Sequence, residues 1–302
     1  MSLLSQLTTV LSHPNNKSKE LYTIFLLAWW KMNQLIFKIP AVVSLVDGVQ
    51  LICYPQSSYG SFVVYSKMPE YFEMMFFHSI ISDDDTVFDV GANIGALTVL
   101  AAHKCPKGKV YAFEPTPQLL KYLHQNIRLN DFAKRVEVYQ QAVSDSVGNC
   151  SFSISSQSEV NHLDWQQDRT EKSITVPAIT IDSFCKKMGI AQINILKIDV
   201  EGAEPLVFSG AKKMLSSGSV DICMFEMNKN ITHFGSSSKQ LLQLISKKYF
   251  IFEFNDTGFL QLVSHNKQFT QTSNLIAVKK HPSAMKRVLP YLQNVTNTHL
   301  TR

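Results

Sequence analysis

The stretch FDVGANIG, residues 88 to 95, combines an acidic residue with two glycines at the end of an apolar run. Glycine permits positive φ and lets the backbone approach a ligand without a Cβ in the way. Gly91 and Gly95 therefore suit a turn that surrounds a ligand, although a tight strand-to-helix turn without a ligand has the same pattern. Asp89, two residues before the first glycine, places a carboxylate where it would face a cation rather than a phosphate.

A second acidic residue, Glu114, lies in the segment FEP, at the spacing of about twenty residues that ribose-binding carboxylates show in nucleotide-binding sheets. The glycine turn and Glu114 together predict a nucleoside-binding site. The dinucleotide fingerprint G-x-G-x-x-G is broken, because Asn93 occupies the position of its second glycine. Asn93 hinders close approach to a pyrophosphate, and Asp89 suits an ammonium group. We therefore favour S-adenosylmethionine over NAD or ATP.

Several short motifs resemble those of the FkbM-type family of class I S-adenosylmethionine-dependent methyltransferases. They are VFDVGANIG (87–95), AFEP (112–115), LN (129–130), LKIDVEGAE (196–204) and FE (225–226). The resemblance covers roughly residues 70 to 280. It implies transfer of a methyl group, usually to an oxygen on a sugar, a polyketide or a similar small or glycan-borne acceptor. A NAD-dependent oxidoreductase and a catalytically inactive cofactor-binding protein are the alternatives.

The resemblance also implies which residues hold S-adenosylmethionine. The loop that would wrap its methionine part consists of Gly91, Ala92, Asn93 and Gly95. Asp89 would meet the ammonium group and Glu114 the ribose. Ala142 and Val143 would form an apolar slot for the adenine. Asp145 is either an acceptor for the exocyclic amine of the adenine or a plain turn residue.

Two carboxylates are candidates for catalysis of methyl transfer. Asp199 ends one predicted strand beside the expected position of the methyl group, and Glu226 ends the next strand. A hydroxyl acceptor must lose its proton, which a carboxylate or a histidine can accept. Helix capping is the alternative for acidic residues here, and it explains Glu204 better than Asp199. A magnesium pair formed by Asp199 and Glu226 is less favoured, so no metal site is predicted. Further candidates by location alone are His162, Asp164 and His233.

These residues need a sheet whose strands end side by side. Apolar strands are predicted at 86–90, 109–113, 136–140, 193–199, 221–227, 250–254 and 274–279. Helices are predicted at 97–104, 116–130, 204–215 and 239–248. This alternation predicts an α/β fold with a doubly wound, mostly parallel sheet. The resemblance implies a Rossmann-like methyltransferase fold with seven strands and an antiparallel last strand.

Domain organisation follows from where this alternation begins and where it is interrupted. Residues 1–69 are expected to form an N-terminal extension, helical to about residue 40 and with short strands over 41–66 around a hairpin turn at Asp47-Gly48. Residues 70–302 are expected to form the methyltransferase domain. The polar, serine-rich residues 144–192 are expected to form an inserted hairpin or lid.

Composition and charge exclude several classes of protein. The 302 residues are 45% hydrophobic and 18% charged, which is typical of a globular protein. The net charge of +5 comes from scattered basic residues, so no nucleic-acid partner is expected. The five cysteines are widely spaced and contain no C-x-x-C pair. They argue against a disulfide framework or a zinc site and favour a cytoplasmic location.

The segment LYTIFLLAWW, residues 21–30, is strongly apolar but too short to span a bilayer. The favoured interpretation is a buried helix that packs on the main domain. The alternative is a helix in a membrane interface, with Trp29 and Trp30 at the level of the headgroups and lysines around them. Peripheral membrane contact through residues 21–38 is therefore left open.

Overall fold

The computed structural model describes residues 3–154, 162–163, 172–234, 237–264, 267, 269 and 272–292. The helices of these residues are α1 (Leu3–Ser12), α2 (Glu20–Met32), α3 (Ser58–Ser66), α4 (Tyr71–Ile80), α5 (Ala96–Lys104), α6 (Pro117–Leu129), α7 (Ile181–Met188), α8 (Glu204–Gly210), α9 (Lys212–Ser217), α10 (Ser238–Ser246) and α11 (Pro282–Val288). Their strands are β1 (Ala41–Ser44), β2 (Gln50–Cys53), β3 (Thr86–Val90), β4 (Lys109–Phe113), β5 (Val136–Tyr139), β6 (Ala142–Val143), β7 (Gly148–Ile154), β8 (His162–Leu163), β9 (Lys172–Ile179), β10 (Ile193–Ile198), β11 (Val220–Met227), β12 (Tyr249–Phe254), β13 (Leu260–Leu262) and β14 (Ser273–Lys279).

The main sheet has the strand order β13-β12-β14-β11-β10-β3-β4-β5. The strands from β11 to β5 run parallel, whereas β14 runs antiparallel to both β11 and β12. The α/β class and the antiparallel last strand are confirmed, but the number of seven strands is wrong. The eighth strand, β13, contains three residues, of which Leu260 is buried. So short a segment has no alternation that the sequence could reveal.

Helices cover both faces of this sheet, because successive side chains of a strand point to opposite faces. In β3, Val87 belongs to one buried cluster with residues of α4, α5 and α6. Phe88 belongs to a second cluster with residues of α7 and α8. Both faces of β3 are therefore packed, and its carboxyl end presents Asp89 and the following loop at the edge of the sheet.

The N-terminal extension contains α1, α2, a π-helical turn, a β1–β2 hairpin and α3. Asp47 and Gly48 lie between β1 and β2 with φ of 52° and 77°, so the predicted hairpin turn is confirmed. The prediction of strands up to residue 66 is wrong, because residues 58–66 form α3. The Ser57 hydroxyl accepts a hydrogen bond from the backbone N–H of Gly60 at 2.7 Å. This N-cap favours a helix in an apolar segment whose residue types also suit a strand.

Helix α2 packs on the rest of the protein through one face. Thr23 and Trp30 are buried, and the Trp30 indole N–H donates to Ser61 Oγ of α3 at 2.9 Å. The opposite face is exposed, with Leu21 86% and Phe25 66% accessible. The predicted packing therefore holds for one side of the helix. Among the described residues, every helix is too short or too polar to cross a membrane.

Side-chain amides of α6 and its C-terminus join the β1–β2 hairpin to the main domain. Asn126 Oδ1 accepts a hydrogen bond from the backbone N–H of Ile52 at 2.7 Å. Asn130 Oδ1 accepts one from the N–H of Gln50 at 2.8 Å. Asn130 of the LN pair and Asn126 thus attach the extension to the domain.

Residues 142–179 contribute a second sheet with the strand order β6-β9-β7-β8. β7 and β9 pair antiparallel from Gly148↔Ala178 to Ile154↔Lys172. β6 runs parallel to β9 and connects this small sheet to the end of β5. The inserted segment thus contains an antiparallel pair beside the carboxyl edge of the main sheet, and its action as a lid stays a prediction.

Candidate functional site

The loop from Gly91 to Gly95 adopts the positive φ angles that its glycines suggested. Gly91, Asn93 and Gly95 have φ of 77°, 52° and 92°. A Cβ on Gly91 would lie 1.9 Å from the backbone oxygen of Asp199, and one on Gly95 would lie 2.5 Å from Leu123 Cδ1. The packing of the protein therefore requires glycine at 91, and the positive φ favours glycine at 95, quite apart from any ligand.

Glu114 is held at the end of β4 by two backbone groups. Its Oε2 accepts from the N–H of Asn93 at 2.9 Å, and its Oε1 accepts from the N–H of Thr116 at 2.8 Å. Burial raises the pKa of this carboxyl, and the hydrogen bonds from Thr116 and Asn93 act in the opposite direction. Glu114 is 4% exposed, so the carboxylate closes the glycine loop against β4.

A first cavity lies beside this carboxylate, between the glycine loop and the small sheet. Its lining comprises Val90, Gly91, Asn93, Phe113, Glu114, Pro115, Leu119, Gln141, Ala142, Val143, Phe152, Asp199, Val200 and Glu201. Ala142 and Val143 form part of an apolar wall, as the sequence suggested. Asp145 is exposed and outside this lining, where its Oδ1 accepts hydrogen bonds from the hydroxyls of Ser144 and Ser146. Its geometry therefore fits the alternative of a turn residue.

A buried lysine, Lys197, lies on β10, and its Nζ is close to two of the predicted acids. Its Nζ donates to the backbone oxygen of Gly91 at 2.7 Å. The same nitrogen lies 3.5 Å from Asp89 Oδ1 and 3.4 Å from Asp199 Oδ2. Burial alone would lower the pKa of Lys197, but the carboxylates of Asp199, Asp89 and Glu70 outweigh it and raise the pKa above its ordinary value. Lys197 is therefore a fixed positive charge at this position.

Asp89 differs from the sequence-based picture of an open carboxylate that awaits a cation. It is 2% exposed, and its Oδ2 accepts from the Thr98 hydroxyl at 2.5 Å. Its Oδ1 makes no hydrogen bond, and the positive charge of Lys197 nearby partly balances its negative charge. One carboxylate oxygen is therefore committed to the protein, and the other keeps the capacity to accept a hydrogen bond.

A second cavity, which we call the acidic cavity, lies on the other side of the glycine loop. It is lined by Tyr59, Glu70, Asp89, Gly91, Ala92, Asn93, Ala96, Leu97, Lys197, Asp199, Glu201 and Glu226. Tyr59 and Glu70 come from the N-terminal extension and its junction with α4. The two cavities share Gly91, Asn93, Asp199 and Glu201. The structure thus brings Asp199 and Glu226 into one cavity, and Asp199 lines both.

Several carboxyl groups of the acidic cavity have unusually high pKa values. Burial, and then the charge of Asp199, raises the pKa of Glu70 to about 8. Burial and the same neighbour raise the pKa of Glu201 to about 7 and that of Glu226 to about 7. A pKa near neutrality suits a group that takes part in proton transfer.

Two acidic residues after β10 have different roles: Glu204 caps the local backbone, and Asp199 lines the cavity. Glu204 Oε1 accepts from the backbone N–H of Val200 at 3.0 Å and of Gly202 at 3.3 Å. Glu204 is thus a local cap, as the sequence suggested, whereas Asp199 points its carboxylate toward Lys197. Glu226 accepts a hydrogen bond from the side-chain amide of Asn228.

The remaining candidates cannot be placed in the site. Asp164 lies outside the described residues, and so do the side chains of His162 and His233. Within the part of the chain that the structure describes, no group of three or more His, Cys, Asp or Glu side chains could hold a metal ion.

Residues 89–252 match the model of the methyltransferase FkbM domain. This match spans more than half of the chain. The chain belongs to the FkbM family of methyltransferases. The matched segment of this FkbM-family chain begins at Asp89, so Tyr59 and Glu70 of the acidic cavity lie outside it.

Curated members of the family show the same relationship. The chain is 28% identical over 148 residues to the 2-O-methyltransferase NoeI of Sinorhizobium fredii, covering 44% of this chain and 60% of that protein. It is 30% identical over 166 residues to the hexuronic acid methyltransferase AglP of Haloferax volcanii, covering 55% and 63%. It is 29% identical over 160 residues to the 31-O-demethyl-FK506 methyltransferase FkbM of Streptomyces tacrolimicus, covering 42% and 60%. The chain therefore spans about three-fifths of the length of these relatives.

The sequence-based reasoning missed several residues that line the two cavities of this FkbM-family chain. Lys197 could have been predicted from the sequence, because it lies two residues before Asp199 on the same predicted strand and so points to the same face. Glu70 gave no comparable signal, since it lies well before the glycine loop and reaches the cavity through the arrangement of the extension. Phe152 lies in the serine-rich insertion, where the polar residues around it gave no indication of an apolar cavity wall.

Proposed function

We propose that this protein transfers a methyl group from S-adenosylmethionine to a hydroxyl of a sugar, a glycan or a related natural product. The observation that carries the proposal is the pair of cavities that meet at Gly91, Asn93, Asp199 and Glu201. One cavity offers an apolar wall and a buried carboxylate, which suits a nucleoside. The other offers carboxylates, which suit a cation and a hydroxyl.

The first cavity has the groups that an adenosine needs. Ala142 and Val143 provide the apolar slot. The carboxylate of Glu114 accepts backbone hydrogen bonds from Asn93 and Thr116 and one from the Thr116 side chain, and it keeps the capacity to accept one more, from a ribose hydroxyl. In the adjoining acidic cavity, Asp89 Oδ1 accepts no hydrogen bond from the protein and can serve as an acceptor for an ammonium group. S-adenosylmethionine, when bound, supplies an activated methyl group.

In this proposal Asp199 orients the acceptor hydroxyl and takes its proton. It lines both cavities, and Lys197 holds its carboxylate at 3.4 Å. Glu226 is the second proton acceptor, because a pKa of about 7 lets it gain and lose a proton near neutral pH. Holding two reactants in place contributes roughly 7–11 kcal/mol to catalysis in general, so positioning is the main task of these residues.

The charge of the acidic cavity narrows the class of acceptor. Five carboxyl groups and one lysine, Lys197, line it. A carboxylate-bearing or phosphate-bearing acceptor would be repelled, whereas hydroxyls of a neutral sugar can donate hydrogen bonds to the carboxylates. We therefore propose a neutral or cationic acceptor. In this scheme residues 70–302 perform the transfer, and the extension supplies Tyr59 to the cavity wall.

Cofactor binding and methyl transfer test the proposal in two steps. S-adenosylmethionine and S-adenosylhomocysteine should raise the Tm of the protein, whereas NAD should not. Transfer of a labelled methyl group should then be measured on neutral glycosides and on matched uronic acids, with preference for the neutral acceptors. Stabilisation by NAD alone would favour an oxidoreductase. Cofactor binding without transfer to any acceptor of either kind would favour an inactive binding protein.

A further inference from the structure

Exposed apolar side chains are concentrated in one part of the N-terminal extension. Of the eighteen large hydrophobic residues that are exposed among the described residues, eleven lie between positions 21 and 42. They are Leu21, Tyr22, Ile24, Phe25, Trp29, Met32, Leu35, Ile36, Phe37, Ile39 and Val42. We call this set the apolar face. Single exposed hydrophobic residues are common in proteins, but a cluster of this size marks an interaction surface.

The exposed apolar residues of α2 lie on one side of the helix, as the helical repeat requires. In α2, Leu21, Phe25 and Met32 follow one another at spacings of four and seven, so they share one side of the helix. Thr23 and Trp30 are buried on the opposite side. The π-helical turn at 33–37 continues the exposed surface with Leu35, Ile36 and Phe37. The face therefore does not result from poor packing of the helix.

The charges around the apolar face are mostly positive. Lys17, Lys19 and Lys38 are exposed, and Lys31 is partly exposed. Between residues 17 and 40 the one acidic residue is Glu20, whose Oε1 accepts from the backbone N–H of Ser18 at 3.2 Å. Lysines around an apolar surface with aromatic residues complement a layer of negatively charged headgroups over hydrocarbon.

A cavity of about 460 Å³ beside this surface adds one further cation, Lys67. It lies between α2, β1 and the end of α3, and its lining includes Tyr22, Trp29, Lys19 and Lys67. Three members of the apolar face, Tyr22, Trp29 and Val42, thus border a recess that also contains lysines. This arrangement places positive charge beside apolar surface, which complements an anionic headgroup and its acyl chains.

We propose that residues 17–42 bind the surface of a bilayer that contains anionic lipids. The 13-residue length of α2 fits a helix that lies in the interface rather than one that spans the membrane. A second copy of the chain suits the surface less well. In a two-fold contact the same patch is buried on both copies, which would bring lysines of the two copies into one interface.

Vesicle co-sedimentation of the full-length protein tests the proposal. The protein should bind vesicles that contain phosphatidylserine and bind phosphatidylcholine vesicles more weakly, and added salt should reduce the binding. The double variant Leu21→Ser/Phe25→Ser should bind at least about tenfold more weakly, because two apolar side chains leave the interface. The matched control is Leu262→Ser, which removes a side chain that is 64% exposed on β13, and it should bind as the wild type does.

Folding and fluorescence controls distinguish loss of membrane binding from loss of structure. The Tm and the affinity for S-adenosylmethionine should be unchanged in the double variant, because neither residue touches the two cavities. If that variant fails to fold, tryptophan fluorescence replaces it: the emission of the wild type should shift to shorter wavelength with anionic vesicles, and the variant Trp29→Phe should lose this shift. Equal vesicle binding by the wild type and the double variant would overturn the proposal. So would absence of vesicle binding by the wild type, and dimerisation that the double variant loses would then assign the apolar face to a second copy of the chain.

Discussion

Glu70 should make the stability of the protein fall as the pH rises through neutrality. Its pKa is raised from 4.5 to about 8, first by burial and then by the charge of Asp199. Burial of the neutral carboxyl stabilises the fold relative to burial of the ionised form. This contribution is fully present below the unfolded pKa of 4.5, and it is lost as the pH rises through the folded pKa. The affected window is therefore about pH 4.5 to 8. The variant Glu70→Gln keeps the shape of the neutral side chain and cannot ionise.

The magnitude follows from proton linkage. One proton difference between the folded and unfolded states changes the free energy of unfolding by about 1.4 kcal/mol per pH unit. Between pH 6 and pH 8 this corresponds to an upper value of about 2 kcal/mol, since Glu70 is half-ionised at the end of that interval. Glu70 lines a cavity that admits water, which screens part of the effect, so we expect about 1–2 kcal/mol.

Urea unfolding at pH 6, 7 and 8 measures this difference. The wild type should lose about 1–2 kcal/mol more stability than Glu70→Gln over this interval. Glu20→Gln is the matched control, because Glu20 is exposed, and it should follow the wild type. Parallel curves for the wild type and Glu70→Gln would refute the reasoning and show that Glu70 is already ionised at pH 6. An m-value that changes with pH would show residual structure and call for a second probe.

The other predictions concern the glycine loop and the carboxylates. Glu114→Gln should weaken the binding of S-adenosylmethionine at least about tenfold in titration calorimetry, because an amide has a single acceptor oxygen and cannot serve both backbone N–H groups and a ribose hydroxyl. Gly91→Ala should lower the free energy of unfolding by at least about 2 kcal/mol, because its Cβ would lie 1.9 Å from a backbone oxygen. Gly189→Ala, with φ of +68° and open space around it, is the control and should cost less. Asp199→Asn should bind the cofactor within about tenfold of wild type and lose on the order of a hundredfold in methyl transfer, whereas normal turnover would make Glu226 the better candidate. The wild-type kcat/KM should rise with pH through about 7, and Glu226→Gln should remove this rise.

The strands and the glycine loop could be predicted because their signals are local. The apolar residues of β3 end at an acidic residue and a glycine, and this pattern needs no knowledge of the rest of the chain. β13 could not be predicted, since three residues carry no periodicity. The helix α3 was mistaken for a strand because apolar, β-branched residues suit both, and the Ser57 cap decides between them only when its geometry is known.

The candidate site was predicted less completely, because its charges depend on contacts between distant segments. The sequence placed Asp89 beside a cation of the ligand, but Lys197 from another strand already lies 3.5 Å from it. Glu70 is brought to the acidic cavity by the fold of the extension, which no spacing of residues indicated. Gly91 was expected to make room for a ligand, and the structure adds the backbone of Asp199 as a second reason for the glycine.

The asparagine that binds β2 has a consequence for how the chain unfolds. Asn126 is fully buried; its Oδ1 accepts from the N–H of Ile52, and its Nδ2 donates to the backbone oxygen of Ile94 at 2.8 Å. Ile94 belongs to the glycine loop, so one side chain connects the N-terminal hairpin to that loop. Release of the hairpin would leave a buried amide oxygen without its donor, at a cost of about 1–3 kcal/mol. The hairpin and the loop therefore open in one cooperative event, and the amides of β2 and of residues 91–95 should share a single protection factor in hydrogen exchange.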